Sequence, residues 1–189
     1  FDKDGQFVTR LVGSENRTLV ALEDLPDHVV NAFLAAEDLR FYKHPGFDLV
    51  RIGGALVSNL RSGGFSQGAS TITQQLVKLS HLSSQKTIAR KLEEVWLALQ
   101  LEHQFSKDEI LEMYLNYIYF GSGAYGVQAA AQTTFGVDAW DLTPAQAAAL
   151  AAAIKAPASF SLASAPEANL ERRTYILGVM RGEGMLTQE

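Results

Sequence analysis

A mainly α domain with a small β element at its front is predicted by three features of this 189-residue chain. Apolar side chains recur at helical spacing through most of the sequence after residue 26. Helix-start signals stand at Ser106, Thr143 and Ser164, and glycines fall where helices are expected to stop, at Gly121, Gly136 and Gly182. Together they predict roughly eight helices in one domain, with no repeat, low-complexity linker or second-domain boundary.

The elements follow in order. Residues 5–22 alternate Phe7, Thr9 and Leu11 and turn at Gly13-Ser14-Glu15-Asn16, the pattern of two short strands. Pro26 suits a first helical position, and Val29, Val30, Phe33 and Leu34 continue that helix. A second helix is expected from Asp48 to about Leu60, then a glycine-rich loop over 62–70, then a third helix from about Thr71 to Leu79. The fourth, about Gln85 to His103, gathers Ile88, Leu92, Val95, Trp96 and Leu99 on one face. Ser106-Lys107-Asp108-Glu109 is a capping box opening the apolar run ILEMYLNYIYF, and Thr143 and Ser164 open two further helices. The Ala-rich stretch 145–154 is too short for a membrane span and predicts a buried helix packed closely on its neighbours.

Composition narrows the function. The chain has no cysteine, which excludes disulfides and thiolate metal sites. It begins at Phe1 without a signal-peptide pattern, so an excised or mature fragment is expected. The net charge of −5 hides an asymmetry: residues 49–92 contain six Lys and Arg and no Asp or Glu, and the remainder carries 10 basic against 21 acidic side chains. A basic segment in an acidic chain suggests an anionic ligand or lipid surface, although helices also expose Lys and Arg simply to water. Nucleic acid is not expected, because the segment lacks aromatic interleaving and the whole chain is acidic.

The candidate chemistry lies in and around that segment. In LAAEDLRFYKHPG, Glu37 and Asp38 stand where a helix ends, so the helix dipole favours the neutral carboxyl and raises its pKa. Desolvation by Phe41, Tyr42 and Phe47 would tune Glu37 as a general acid or base, with His44 and Pro45-Gly46 as a rigid mount. An ordinary surface Glu-Asp pair beside Arg40 and Lys43 explains the same residues. In RKLEE, Arg90 and Lys91 share a helical face with Glu94, which is either a ligand site or a pair of helix salt bridges worth about 0.3–0.5 kcal/mol each. In GASTITQQLVK, Ser70, Gln75 and Lys78 offer neutral donors and one cation to a sugar or phosphate, in a context that is not a Walker loop. The four histidines show no metal-ligand spacing, and no HExxH or GxSxG is present.

EDLRFYKHPG, GASTITQQLVK, RKLEEVWLALQLE and KDEILEMYLNYIYFG resemble, in order and spacing, the signature motifs of peptidoglycan glycosyltransferases (glycosyltransferase family 51), over essentially the whole chain. The leading FDKDGQFVTRLVGSENR resembles the strand preceding this domain in bifunctional class A penicillin-binding proteins. The resemblance implies a lysozyme-like helical bundle with head and jaw lobes, the jaw lying in residues 47–68. It implies a single domain over 1–189, its membrane anchor and transpeptidase domain absent from this chain.

The implied activity is polymerisation of lipid II on the extracytoplasmic face of the bacterial membrane. Glu37 matches the catalytic base and Glu94 the second acidic residue. Lys78, Lys86, Arg90 and Lys91 match cations for the undecaprenyl-pyrophosphate leaving group, and Ser70, Gln75 and Asn116 match sugar- or phosphate-contacting positions. Asp38, Phe41 and His44 match the supporting residues of the first motif. The implied partners are lipid II, the growing glycan strand, the membrane surface through the jaw, and other cell-wall synthesis proteins. No cofactor is required by the sequence; a divalent cation, Mg2+ or Mn2+, could bridge the pyrophosphate, although no DxD-like cluster stands ready to hold it.

Several positions depart from the family pattern. Lys86 stands for a common Arg, Gly54 for a frequent Arg, Ala69 for Gly, Leu79 for Asn, Thr134 for an aromatic and Leu162 for Pro. None touches Glu37 or Glu94. The alternatives are a lytic transglycosylase or muramidase, and a non-catalytic module binding lipid-linked precursor. Against a lytic enzyme stands the basic segment, since a neutral glycan has no pyrophosphate to neutralise.

Overall fold

The computed structural model describes residues 18–62, 70–81 and 87–186, without the side chains of 56–62 and 80–81. Within them the chain is mainly α, as expected. The helices are α1 (Asp27–Glu37), α2 (Leu49–Ser62), α3 (Ile72–His81), α4 (Ile88–Gln104), α5 (Lys107–Tyr117), α6 (Val127–Phe135), α7 (Pro144–Ile154), α8 (Pro157–Phe160) and α9 (Pro166–Gly182). The strand pair expected over 5–22 lies almost wholly outside the described residues, and Leu22–Asp24 is a 3-10 turn.

The core is organised around α7, which packs between α1 and α9. Every residue from Ala147 to Ile154 is buried, so its alanines let neighbouring backbones approach closely. Val29 and Phe33 of α1 and Ile110, Leu111, Tyr114 and Leu115 of α5 fill the same core, and Phe33 meets Phe120 edge-on at 5.8 Å between ring centroids. The capping boxes at Ser106 and Thr143 form as predicted. That at Ser164 does not: α9 starts at Pro166, its N-cap is Ala165, and no side chain caps it. Pro166 has no N–H to satisfy at this first position. Gly136 ends α6 in the left-handed conformation, but the left-handed glycine after α9 is Gly184 rather than Gly182.

Two other expectations are corrected. The run ILEMYLNYIYF is not one helix. It leaves helical geometry at Ile118, and Tyr119–Gly121 pairs antiparallel with Ala124–Tyr125 as strands β1 and β2. Aromatic residues followed by Gly-Ser-Gly favour a hairpin, and Tyr119 and Tyr125 hold it with rings 4.7 Å apart. Gly121 therefore belongs to a strand rather than a helix stop. The apolar face of α4 is also turned outward: Ile88 is 83% exposed, Leu92 66% and Trp96 59%, while Glu94, Ala98 and Leu101 are buried. Helical periodicity identifies an apolar face but not what it packs against.

α2 is set apart from this core. Asp48 caps it by accepting from the Val50 and Arg51 amides (2.9 and 3.1 Å), and Leu49, Val50 and Ile52 are exposed. Among the described side chains of α2 only Ala55 is buried.

Asn116 joins the front of the described chain to the core. Its Oδ1 accepts from the Val20 amide (2.9 Å), and its Nδ2 donates to the Val20 and Glu112 carbonyls (2.8 and 2.9 Å). Gly126 packs against the Asn116 backbone so tightly that a Cβ there would lie 2.7 Å from the Asn116 carbonyl oxygen. Asn116→Ala should leave two buried Val20 backbone groups unpaired and lower stability by about 1–3 kcal/mol. The check is a denaturant titration in which the midpoint falls and the slope stays unchanged.

Candidate active site

One large cleft, about 1010 Å³, runs between the end of α1, the start of α2, α3, α4 and α9. Glu37, Asp38, Ser70, Gln75, Lys78, Arg90, Lys91 and Glu94 line it together. Asn116 does not line it and is fully engaged with backbone groups. Phe41 is buried in the core, and His44 is buried behind Asp38. Lys86 lies outside the described residues.

Glu37 is the last residue of α1, at the end where helical carbonyls lack partners. Arg51 of α2 covers that end: its guanidinium donates to the Glu37 carbonyl and lies 3.6 Å from the Asp38 carboxylate. The Glu37 carboxylate is buried and held on two sides. Gln75 Nε2 donates to Oε2 at 2.9 Å, and Arg172 Nη2 donates to Oε1 at 3.4 Å. Tyr114 donates its hydroxyl to Gln75 Oε1 (3.3 Å), which turns the Gln75 amide nitrogen toward Glu37. Burial pushes the Glu37 carboxyl above the ordinary carboxylate range, and Gln75, Arg172, Arg51 and Lys155 each pull it back. Burial also pushes the Tyr114 phenol well up, with the charges of Glu37 and Asp38 adding to it, so it remains a donor.

The aromatics that follow Glu37 in sequence are not part of the cleft wall. Tyr42 points outward to Asp108 (2.8 Å), and Phe41, Tyr42 and Phe47 do not line the cleft. Ala35, Ala36, Ile154 and the α9 wall surround Glu37's cleft instead.

Asp38 is the mount. Its Oδ2 lies 3.0 Å from His44 Nε2 and accepts from the Ile72 amide, also at 3.0 Å. The Ile72 amide is the first of α3, so a buried carboxylate meets a positive helix end. Thr71 caps α3 and donates its hydroxyl to the Gly46 carbonyl (2.7 Å). Gly46 has φ +94°, and a Cβ there would sit 3.0 Å from the Ala98 carbonyl oxygen, so the turn must stay glycine to press against α4.

The second carboxylate gathers cations. Glu94 is buried on α4, with Arg90 Nη1 3.3 Å from Oε2 and the Lys91 ammonium on Oε1. Lys91 also donates to Ser70 Oγ (2.9 Å). Lys78 lines the same cleft and is exposed, and its side chain makes no hydrogen bond or ion pair to a described residue.

Arg172 was not anticipated from the sequence. Its position follows from Asn169 one turn earlier, buried and donating to the Ala149 and Phe160 carbonyls (2.9 and 2.7 Å). Phe160 is thereby placed under the Arg172 guanidinium, 5.7 Å from ring centroid to Cζ. The only hint in sequence was the basic pair in RRTYILGVM.

This constellation can hold a neutral-to-anionic switch at Glu37 beside a wall suited to an anionic group. A family model described as transglycosylase matches residues 4–181. The chain is 50% identical over 188 residues to penicillin-binding protein 1A/1B of Bacillus subtilis (strain 168), covering 99% of this chain and 20% of that protein. It is 47% identical over 178 residues to penicillin-binding protein 1A of Aquifex aeolicus (strain VF5), covering 94% of this chain and 24% of that protein. Its structure is similar to that of penicillin-binding protein 1A from Haemophilus influenzae, with a TM-score of 0.53 and 25% identity over 94% of this chain and 17% of that one. The chain belongs to the transglycosylase family, a class of glycosyltransferase domain, and spans a quarter or less of the length of these relatives.

The folded Glu37 binds its proton more tightly than the unfolded chain does, so its contribution favours the fold below the ordinary carboxylate range and is lost as pH rises through the raised value. Glu37→Gln removes that titration. Its melting temperature relative to wild type should therefore climb with pH across that window, as a pH series of thermal melts would show. Arg172→Gln withdraws a cation from Glu37 and should move the titration of its carboxyl to higher pH, as a carbon-13 NMR titration would show, whereas Arg172→Lys should largely restore it.

Proposed function

We propose that this domain polymerises lipid II into glycan strands. The supporting observation is that a buried, raised-pKa carboxylate and a cation cluster share one cleft. Glu37, ionised, takes the proton of the acceptor's GlcNAc 4-hydroxyl as that oxygen attacks the anomeric carbon of the donor's MurNAc. The O4–C1 bond forms as the C1–O bond to pyrophosphate breaks, so the α-linked donor becomes a β-1,4 product by inversion. The departing undecaprenyl pyrophosphate carries the bonding pair. Lys78, Arg90 and Lys91 meet its growing charge, and Glu94 holds Arg90 and Lys91 in place. Lys86 is assigned to the same cation set on its motif position alone. Ser70 and Gln75 offer neutral polar contacts to sugar or phosphate.

The residues present do not fit a resident divalent cation. Glu37, Asp38, Asp48 and Glu94 already face amide or cationic partners, and no group of three or more candidate ligands stands together among the described residues. A lytic enzyme is less well supported, because cleavage of a neutral glycan leaves the cations without a role.

Among the described residues no helix is long and apolar enough to cross a membrane. The exposed apolar side chains of α2, Leu49, Val50 and Ile52, fit a membrane surface that would bring the domain to its lipid-linked substrate, in a longer protein with an anchor and a transpeptidase domain on the extracytoplasmic side. Other cell-wall synthesis proteins are the further partners in that setting.

With purified lipid II, Glu37→Gln should lose polymerisation by about 10²-fold or more while binding is retained. Wild-type-like turnover would remove Glu37 from the role of base, and hydrolysis of finished glycan without polymer would remove the synthase assignment. Val50→Asp with Ile52→Asp should weaken co-sedimentation with phospholipid vesicles and leave the fold intact, because both side chains are exposed.

A further inference from the structure

We propose that Tyr175 is a substrate-contacting residue, the platform on which the acceptor saccharide stacks; this rests on the glycan-polymerising function above. Along α9, Arg172, Tyr175, Val179 and Gly182 recur at helical spacing and all line the cleft. Arg172 reaches Glu37 at 3.4 Å, and Tyr175 stands one turn further on, about 5 Å along the helix. Tyr175 is 65% exposed although it forms part of a concave wall. It has no hydrogen bond or ring contact with a described residue. A large aromatic uncovered inside a cleft gains from a ligand that covers its face.

The two walls differ in charge. Across the cleft stand Lys78, Arg90 and Lys91, whereas α9 beyond Arg172 offers Tyr175, Val179 and Gly182 and then a carboxylate, Glu183. Arg172 and Lys155 keep cations beside Glu37. Beyond Arg172 the only charge α9 brings to the cleft is Glu183, so that stretch suits an uncharged pyranose, whose C–H face lies against a ring and whose hydroxyl rim meets polar groups. In-line displacement puts the attacking and leaving oxygens on opposite sides of the anomeric carbon. The acceptor sugar therefore lies on the side of Glu37 away from the cations, the side on which α9 presents Tyr175.

The test titrates the chain with a soluble β-1,4-linked N-acetylglucosamine tetrasaccharide, reading saturation transfer from aromatic protons to sugar ring protons, alongside lipid II polymerisation. Tyr175→Phe should behave like wild type. Tyr175→Ala should bind the tetrasaccharide about three- to tenfold more weakly and raise the lipid II KM by a similar factor, with kcat little changed. Absence of tetrasaccharide binding by wild type, equal binding by Tyr175→Ala, or an equal loss in Tyr175→Phe, would each overturn the platform. Tetrasaccharide binding that depends on the Tyr175 ring, in a chain that makes no polymer, would support the platform and overturn lipid II polymerisation instead.

Discussion

The burial of one carboxylate at the end of α1 sets the terms for the rest of this structure. Glu37 sits where helical carbonyls already concentrate negative charge, and it is removed from water as well. Such a group persists only if other elements supply partners. They do so from three directions: Gln75 from α3, Arg51 from α2 and Arg172 from α9. Each partner is itself held, Gln75 by Tyr114, Arg172 over Phe160 and Arg51 beside Asp38.

The same economy governs the mount behind it. Asp38 answers both His44 and the first amide of α3, tying the end of α1 to the start of the helix that carries Gln75 and Lys78. Gly46 lets the intervening turn press on α4, the helix that carries Glu94, Arg90 and Lys91. Three segments, the end of α1 with its turn, the start of α3, and α4, are thus registered to one another by contacts within a single short motif. A buried polar network of this kind favours one arrangement, because any slip leaves charges unpaired.

Much of this was legible in the sequence. Helical spacing and capping boxes located α1, α3, α5 and α7, and the acid-free basic stretch contains the cations Lys78, Arg90 and Lys91 of the cleft. The alanine run of α7 announced close packing. Less was legible where neighbours decide the outcome. The apolar face of α4 points outward, and Tyr42 turns out to Asp108 rather than to the cleft, because periodicity and adjacency do not say which surface a side chain meets. Asn116 has the chemistry of a ligand contact, yet its amide matches the two backbone groups of Val20, 96 residues away.

By itself the sequence determined the helical class, the carboxylate at a helix end and the charge asymmetry, since these are local properties of spacing and composition. Tertiary structure alone decided that Arg172 reaches Glu37, that Tyr175 lines the same cleft, that Tyr114 orients Gln75, and that Lys91 meets Ser70. Those relations join residues up to 135 positions apart. Local physical chemistry specifies what each side chain can do, but only packing determines which side chains share a low-dielectric space.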